Sequence, residues 1–199
     1  MNDITKTHPV PPDDPEEARV LDSCARGEWE EFRYLFDKYR DRVYFLALSI
    51  VKDSALARDV TQASFIKVFK SLKWFDRRAR FSTWLYRITY HQALDHYRRR
   101  RTRDEIPLTH APGEGEIATS RGELFNSIAG KEFNEKIRAA VDALPVKLRT
   151  AVVLKYFEGC TFSEICEIVG CARGVLQKRL SQASAKLRDA LGREISLSG

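Results

Sequence analysis

A chain of 199 residues with 43% hydrophobic and 31% charged side chains is too apolar to be disordered throughout, and its length suits one domain or two small ones. The start MNDITKTHPVPPDDPEE holds no apolar run, and the longest apolar-rich stretch, Val43 to Val51, is too short to span a bilayer, so the expectation is a cytoplasmic protein without membrane contact. The formal charge of +6 is uneven: about −4 over residues 1–66, about +9 over 67–101, about −3 over 102–130 and about +4 over 131–199.

Residues 1–15, with His8, Pro9, Pro11 and Pro12 and few apolar side chains, read as a flexible tail. From Glu16 the apolar positions Leu21, Phe32, Leu35, Phe36, Tyr39, Val43, Leu46, Ala47 and Ile50 recur at three- and four-residue steps, which predicts amphipathic helices packed on one another. A further helix is predicted from Ser54 to Lys70, with Ala57, Val60, Thr61, Ser64, Phe65 and Val68 as its inner stripe. Asp59, Gln62 and Ile66 fall on the opposite face, where the isoleucine is either a lone exposed apolar residue or part of a partner surface.

The aperiodic stretch Trp74 to Arg80 reads as a loop. Phe81 opens a long helix with Ser82 or Thr83 available as its cap, running through Leu85, Ile88, Gln92 and Asp95 to Arg98–Arg101, a basic end that suits the helix macrodipole. Lys67 to Arg101 carries Asp76 and Asp95 as its only acids, and Trp74, Phe75, Phe81, Trp84, Tyr86, Tyr90 and Tyr97 are threaded through its cations. That mixture suits nucleic acid with exposed bases, where cations meet phosphates and rings stack on bases. It equally suits a solvated basic helix over an ordinary aromatic core.

Residues 102–130 hold Pro107, Pro112, four glycines and the acids Asp104, Glu105, Glu114, Glu116 and Glu123, so they read as a flexible acidic linker between two separate domains. Beyond it Phe133, Ile137, Ala140, Val141 and Leu144 mark one helix before Pro145, and Val152, Val153, Tyr156 and Phe157 mark the next, closed by Gly159. Thr161 and Glu164 form a capping box that opens a short helix with Ile165, Ile168 and Val169 inward and Gly170 as its stop. After the turn Cys171 to Arg173 a last helix carries Leu176, Leu180, Ala183, Leu187 and Leu191 on one face, and 194–199 read as a tail. This looks like a helix-turn-helix with Arg173, Gln177, Lys178, Ser181 and Gln182 facing DNA, although helical hairpins in bundles give a similar pattern.

Cys24, Cys160, Cys166 and Cys171 lack the CxxC or Cys/His spacing of a zinc site and read as buried small apolar residues, with redox sensing by the last three as the alternative. No Gly-rich phosphate loop, His/Asp/Ser arrangement or metal-spaced ligand set occurs, so no catalytic residue, metal or cofactor is expected.

The stretches Asp59-Val60-Thr61-Gln62-Ala63-Ser64-Phe65, Phe81-Ser82-Thr83-Trp84-Leu85-Tyr86-Arg87-Ile88, and Leu144-Pro145 through Leu187 resemble an extracytoplasmic-function sigma factor of bacterial RNA polymerase, of the sigma-70 family. The resemblance covers about residues 16–101 and 131–191. It implies an all-α fold of two small helical domains: a region 2 bundle at 16–101 and a region 4 helix-turn-helix at 131–193, joined by the linker 102–130. It implies a promoter-specificity subunit without catalysis that binds core RNA polymerase, recognises the −35 and −10 elements and directs initiation. On this template Asp59, Gln62, Phe65 and Ile66 match the segment docking on the clamp helices of the largest subunit, and the second-subunit flap is a further contact. Phe75, Asp76, Arg77, Arg78, Arg80, Trp84, Arg87, His91, Arg98 and Arg99 match the part that melts the −10 element and holds a flipped base, whose lost stacking must be replaced. Arg173, Gln177, Lys178, Arg179, Ser181 and Gln182 match the reader of the −35 element. The linker matches a segment on the path of nascent RNA, and the family often has an anti-sigma factor as partner.

The chain departs from the template in three places. The loop normally runs Phe-Arg-Gly-acid, whereas Asp76, Arg77 and Arg78 follow Phe75 here, and stronger phosphate attraction is expected. His91 stands where asparagine is frequent. Gly174-Val175-Leu176-Gln177-Lys178-Arg179-Leu180 replaces Gly-Thr-Val-Lys-Ser-Arg-Leu, and Ala172 replaces a capping serine, at about 1 kcal/mol. A stand-alone helix-turn-helix regulator and a sigma-mimicking interaction protein are the competing readings.

Overall fold

The computed structural model describes residues 15–102 and 131–197, which form helices joined by turns, with no strand among them. Of the tail expected at 1–15, residues 1–14 lie outside the described residues, as does the linker segment with Glu114, Glu116 and Glu123, while Pro15 already opens the first helix. The first bundle comprises α1 (Pro15–Ala25), α2 (Phe32–Val51), α3 (Ser54–Ser71) and α4 (Phe81–Thr102), with single 3-10 turns at Trp29–Glu31 and Leu72–Trp74. Its core is the expected helical stripe: Leu35, Tyr39, Val43, Leu46 and Ile50 of α2 meet Val60 and Val68 of α3 and Phe81 and Leu85 of α4, all essentially without solvent contact.

Chain reversal between α2 and α3 takes two residues. Lys52 adopts the left-handed conformation (φ 55°) with its N–H on the Leu48 carbonyl, and Asp53 accepts a 3.0 Å bond from Leu56 N–H as the cap of α3. α4 starts at Phe81 as expected, but its cap differs. The Arg80 carbonyl accepts from Trp84 N–H at 3.1 Å, so the helix begins at Phe81 and both Ser82 and Thr83 lie inside its first turn, not at its cap.

The second bundle comprises α5 (Lys131–Asp142), α6 (Val146–Val152), α7 (Phe162–Val169) and α8 (Arg173–Leu197). The capping box forms as expected, with Thr161 N–H donating to Glu164 at 2.7 Å and Glu164 N–H to the Thr161 hydroxyl at 3.3 Å, and Gly170 closes α7 at φ 63°. Two features depart from the sequence reading. The helix expected through Phe157 widens into a π turn at Val153–Phe157, with Glu158 N–H on the Val153 carbonyl and Cys160 N–H on that of Leu154. The last helix continues to Leu197, into residues read as tail, since Gly192 alone does not break it.

The halves read as separate domains are in contact: α2 packs on α6, and α4 lies along α7.

Candidate nucleic-acid interface and docking groove

On the outer side of α2 and α3 an open groove of about 810 Å³ is walled by Phe32, Phe36, Phe65, Ile66 and Phe69, with Arg40, Asp41 and Arg58 at its rim. Phe36, Ile66 and Phe69 stand 36%, 47% and 40% exposed, a cluster of large apolar groups that a free surface rarely keeps. Of the four residues singled out for docking, Ile66 and Gln62 line the groove, and Phe65 forms its floor, buried beneath Phe36 at a ring-centroid distance of 4.8 Å. Asp59 is exposed on α3 but outside the groove lining. Phe36, read as core with Leu35 and Tyr39, is rotated about 100° past Leu35 and so leaves the core for the groove. The missed wall residues carry a signal in hindsight: Phe32/Phe36 and Phe65/Phe69 are i,i+4 pairs that form one lattice of edge-on rings.

The loop after α3 is organised by Asp76. Its carboxylate accepts the Arg78 N–H at 3.1 Å and pairs with the Arg78 guanidinium at 3.0 Å, an Asx-type turn. Between them Arg77 takes φ 58°, the left-handed conformation that suits glycine, the residue that the resemblance leads one to expect here. Its side chain folds back onto Asp22 of α1, so the stronger phosphate attraction expected of Arg77 is offset by a carboxylate partner. Phe75 and Trp84 stack at 4.9 Å and 24°, both half-buried, with the buried Phe81 ring behind them. Trp74 is 76% exposed, with the Lys73 ammonium 5.1 Å from its ring centroid.

Along α4, Arg87, His91, Arg98 and Arg99 are exposed and continue the line begun by Arg80 and Trp84. His91 Nδ1–H donates to the Arg87 carbonyl at 2.7 Å, which leaves Nε2 as the acceptor in the neutral ring. Arg100 leaves this row, pairing with Asp53 at 3.1 Å.

In the helix-turn-helix, Leu176, Leu180 and Ala183 are buried while Arg173, Gln177, Lys178, Ser181 and Gln182 are exposed, as expected. Arg179 is half-buried, and the Arg173 guanidinium lies 5.6 Å over the Phe162 ring. Cys24 and Cys160 are buried; Cys166 is half-buried, and burial together with Cys171 pushes its thiol up, away from the reactive thiolate.

The Sigma-70 region 2 family matches residues 35–103 and the Sigma-70 region 4 family matches residues 134–187. The chain is 33% identical over 192 residues to the ECF RNA polymerase sigma factor SigE of Mycolicibacterium smegmatis, covering 94% of this chain and 72% of that one. It is 29% identical over 171 residues to the ECF RNA polymerase sigma factor SigW of Bacillus subtilis, covering 83% of this chain and 91% of that one. In fold it resembles the sigma factor RpoE solved with the anti-sigma factor NepR from Bartonella quintana, at TM-score 0.60 and 19% identity, over 82% of this chain and 98% of that one. No described helix is long and apolar enough to cross a membrane. The chain belongs to the extracytoplasmic-function sigma factors of the sigma-70 family, initiation factors that recognise promoters.

Proposed function

We propose that the two bundles divide the promoter work by surface. The α2/α3 groove docks the clamp helices of the largest subunit of core RNA polymerase through Phe36, Gln62, Ile66 and Phe69, with Phe65 as its floor and Asp59 at its margin. Phe75, Asp76, Arg78, Arg80, Trp84, Arg87, His91, Arg98 and Arg99 take the −10 element, the arginines on phosphates and the Phe75/Trp84 stack beside the extruded base. Arg77 supports that loop from behind. Arg173, Gln177, Lys178, Arg179, Ser181 and Gln182 read the −35 element, and the second-subunit flap holds the second bundle. An anti-sigma factor is a further partner, in line with the RpoE–NepR complex.

The observation that carries this reading is the coexistence of an exposed aromatic groove with a row of arginines beside a half-buried ring stack. Reconstituted holoenzyme tests it. Ile66→Asp is expected to lower affinity for core polymerase at least about tenfold, since it places a charge in the apolar contact. Trp84→Ala should leave core binding intact and weaken promoter opening, read by permanganate footprinting, whereas Lys178→Ala should weaken −35 binding with opening retained. Equal losses in all assays for all three would overturn the division.

A further inference from the structure

Cys166 and Cys171 are brought together by the way α7 ends. Gly170, at φ 63°, turns the chain back in the left-handed conformation, and the Cys171 N–H then reaches the Cys166 carbonyl at 3.1 Å, the bond of a Schellman close. That motif sets the side chain of the residue after the glycine against one in the last turn of the helix, a contact frequently made by two apolar groups. Here both groups are thiols, and they meet: the Cys166 thiol is hydrogen-bonded to Cys171. A backbone bond of 3.1 Å keeps the two Cα atoms within about 7 Å, the outer limit for a disulfide, so the pair can be bridged without unfolding.

Both thiols are half-buried and within reach of a small solute, whereas Cys24 and Cys160 are buried. Burial and then Cys171 hold the proton on Cys166, while the guanidinium groups of Arg173 and Arg179 on α8 act on it in the other sense, favouring the thiolate that a disulfide requires. Arg173 opens α8 two positions after Cys171. The dithiol therefore stands inside the turn that aims the reading helix.

We propose that Cys166 and Cys171 form a dithiol site that hydrogen peroxide converts to a disulfide across the helix-turn-helix, and that this bond weakens the grip of α8 on the −35 element. The second half rests on the reading of α8 as the −35 reader. The chemistry takes two steps, and Cys171 goes first because the proton is held on Cys166. The Cys171 sulfur attacks one peroxide oxygen, forming S–O as O–O breaks, and the thiol proton leaves with the departing hydroxide as water. The Cys166 sulfur then attacks the Cys171 sulfur, forming S–S as S–O breaks, and its proton leaves with that hydroxide as a second water. Two thiols lose two electrons, and one peroxide is reduced to two waters. In a reducing compartment the dithiol is the resting form and the disulfide is transient. Closing the bond draws the sulfurs from contact to about 2.05 Å and pulls the first turn of α8 toward α7, shifting Arg173, Gln177 and Lys178 together.

The full wild-type chain tests this. It is treated with hydrogen peroxide, desalted, its remaining thiols blocked, and cut by a protease specific for glutamate; cleavage after Glu158, Glu164 and Glu167 puts Cys160, Cys166 and Cys171 on three separate peptides for mass spectrometry. The Cys166 and Cys171 peptides should be joined, with two of the four thiols lost. Holoenzyme assembled from the oxidised chain should bind a duplex, selected by the reduced holoenzyme from a random-sequence pool, at least about fivefold more weakly, the loss of one base contact, and a phosphine reductant should restore the affinity. Cys166→Ser and Cys171→Ser chains of unchanged circular-dichroism helix content should show no such response to peroxide. Four free thiols after treatment, a bridge that involves Cys160, or sulfinic acids without a bridge would overturn the site. A Cys166–Cys171 bridge with unchanged affinity would overturn its hold on the reader and leave the −35 reading in place. Selected duplexes that bind the reduced holoenzyme equally well with the upstream element scrambled would overturn that reading, and the control of it proposed here.

Discussion

Glu17 is a carboxylate without solvent contact, held by the Tyr39 hydroxyl at 2.6 Å and the Lys38 ammonium at 2.8 Å, so it ties α1 to α2. Glu17→Ala removes the acceptor that the Tyr39 hydroxyl and the Lys38 ammonium share and is expected to lower unfolding free energy by about 2 kcal/mol in urea titrations. Arg77 presents the opposite balance. Its left-handed backbone costs about 1 kcal/mol in any residue but glycine, and its half-exposed pair with Asp22 returns no more than about 1 kcal/mol. Arg77→Gly should therefore leave stability nearly unchanged, whereas Arg77→Ala keeps the backbone cost, loses the pair and should be the less stable of the two. Comparing their urea midpoints separates backbone from charge at the one loop position where the chain departs from the family's glycine.

At the scale of elements, helix ends show how local chemistry decides what periodicity leaves open. Asp53 caps α3, and its carboxyl is held below the usual range first by the Leu56 N–H and then by Arg100. A lowered folded pKa contributes stability above the unfolded value and loses it as pH falls through the folded one. Asp53→Ala should thus cost about 1 kcal/mol at neutral pH, and the deficit should shrink as the wild type is taken below about pH 4. The capping box at Thr161 and the end of α7 at Gly170 were readable because each lies within a few residues of its own signal. The groove was readable only in part: Ile66 on an otherwise polar face hinted at it, but Phe36 and Phe69 repeat at the same spacing as core residues, and periodicity cannot tell a buried stripe from an apolar stripe awaiting a partner. The start of α4 at Phe81 was readable and its cap was not, since serine and threonine invite a cap wherever they stand, and here Ser82 and Thr83 fall inside the first turn. The π turn has no signature in the apolar spacing, and the residues at its end, Phe157 and Glu158, meet Phe45 and Tyr86 far earlier in the chain.

For the whole molecule, the acidic linker argued for two separate domains, and nothing local in the sequence says that they touch; the contact lives in Arg149, Tyr86 and Glu158, none of which signals a distant partner by itself. Tyr86 gives that contact a dependence on pH. Its phenol is pushed well above the usual tyrosine range, first by burial and then by the Glu158 carboxylate, while Arg42 on α2 pulls the other way without losing its own charge. A raised folded pKa contributes stability that is complete below the unfolded value, about pH 10, and disappears as pH climbs through the folded one. The joint should therefore be indifferent to pH across the neutral range and loosen only in strong alkali, where ionised Tyr86 faces Glu158 as a like charge. Scattering followed from about pH 8 upward is expected to show the wild-type radius of gyration growing above about pH 10. Tyr86→Phe, which has no proton to lose, should already be looser at pH 8 and show no further step from this site. A wild type and a Tyr86→Phe chain that expand in parallel would mean that the alkaline transition belongs to other groups and that the Tyr86–Glu158 bond does not hold the bundles together.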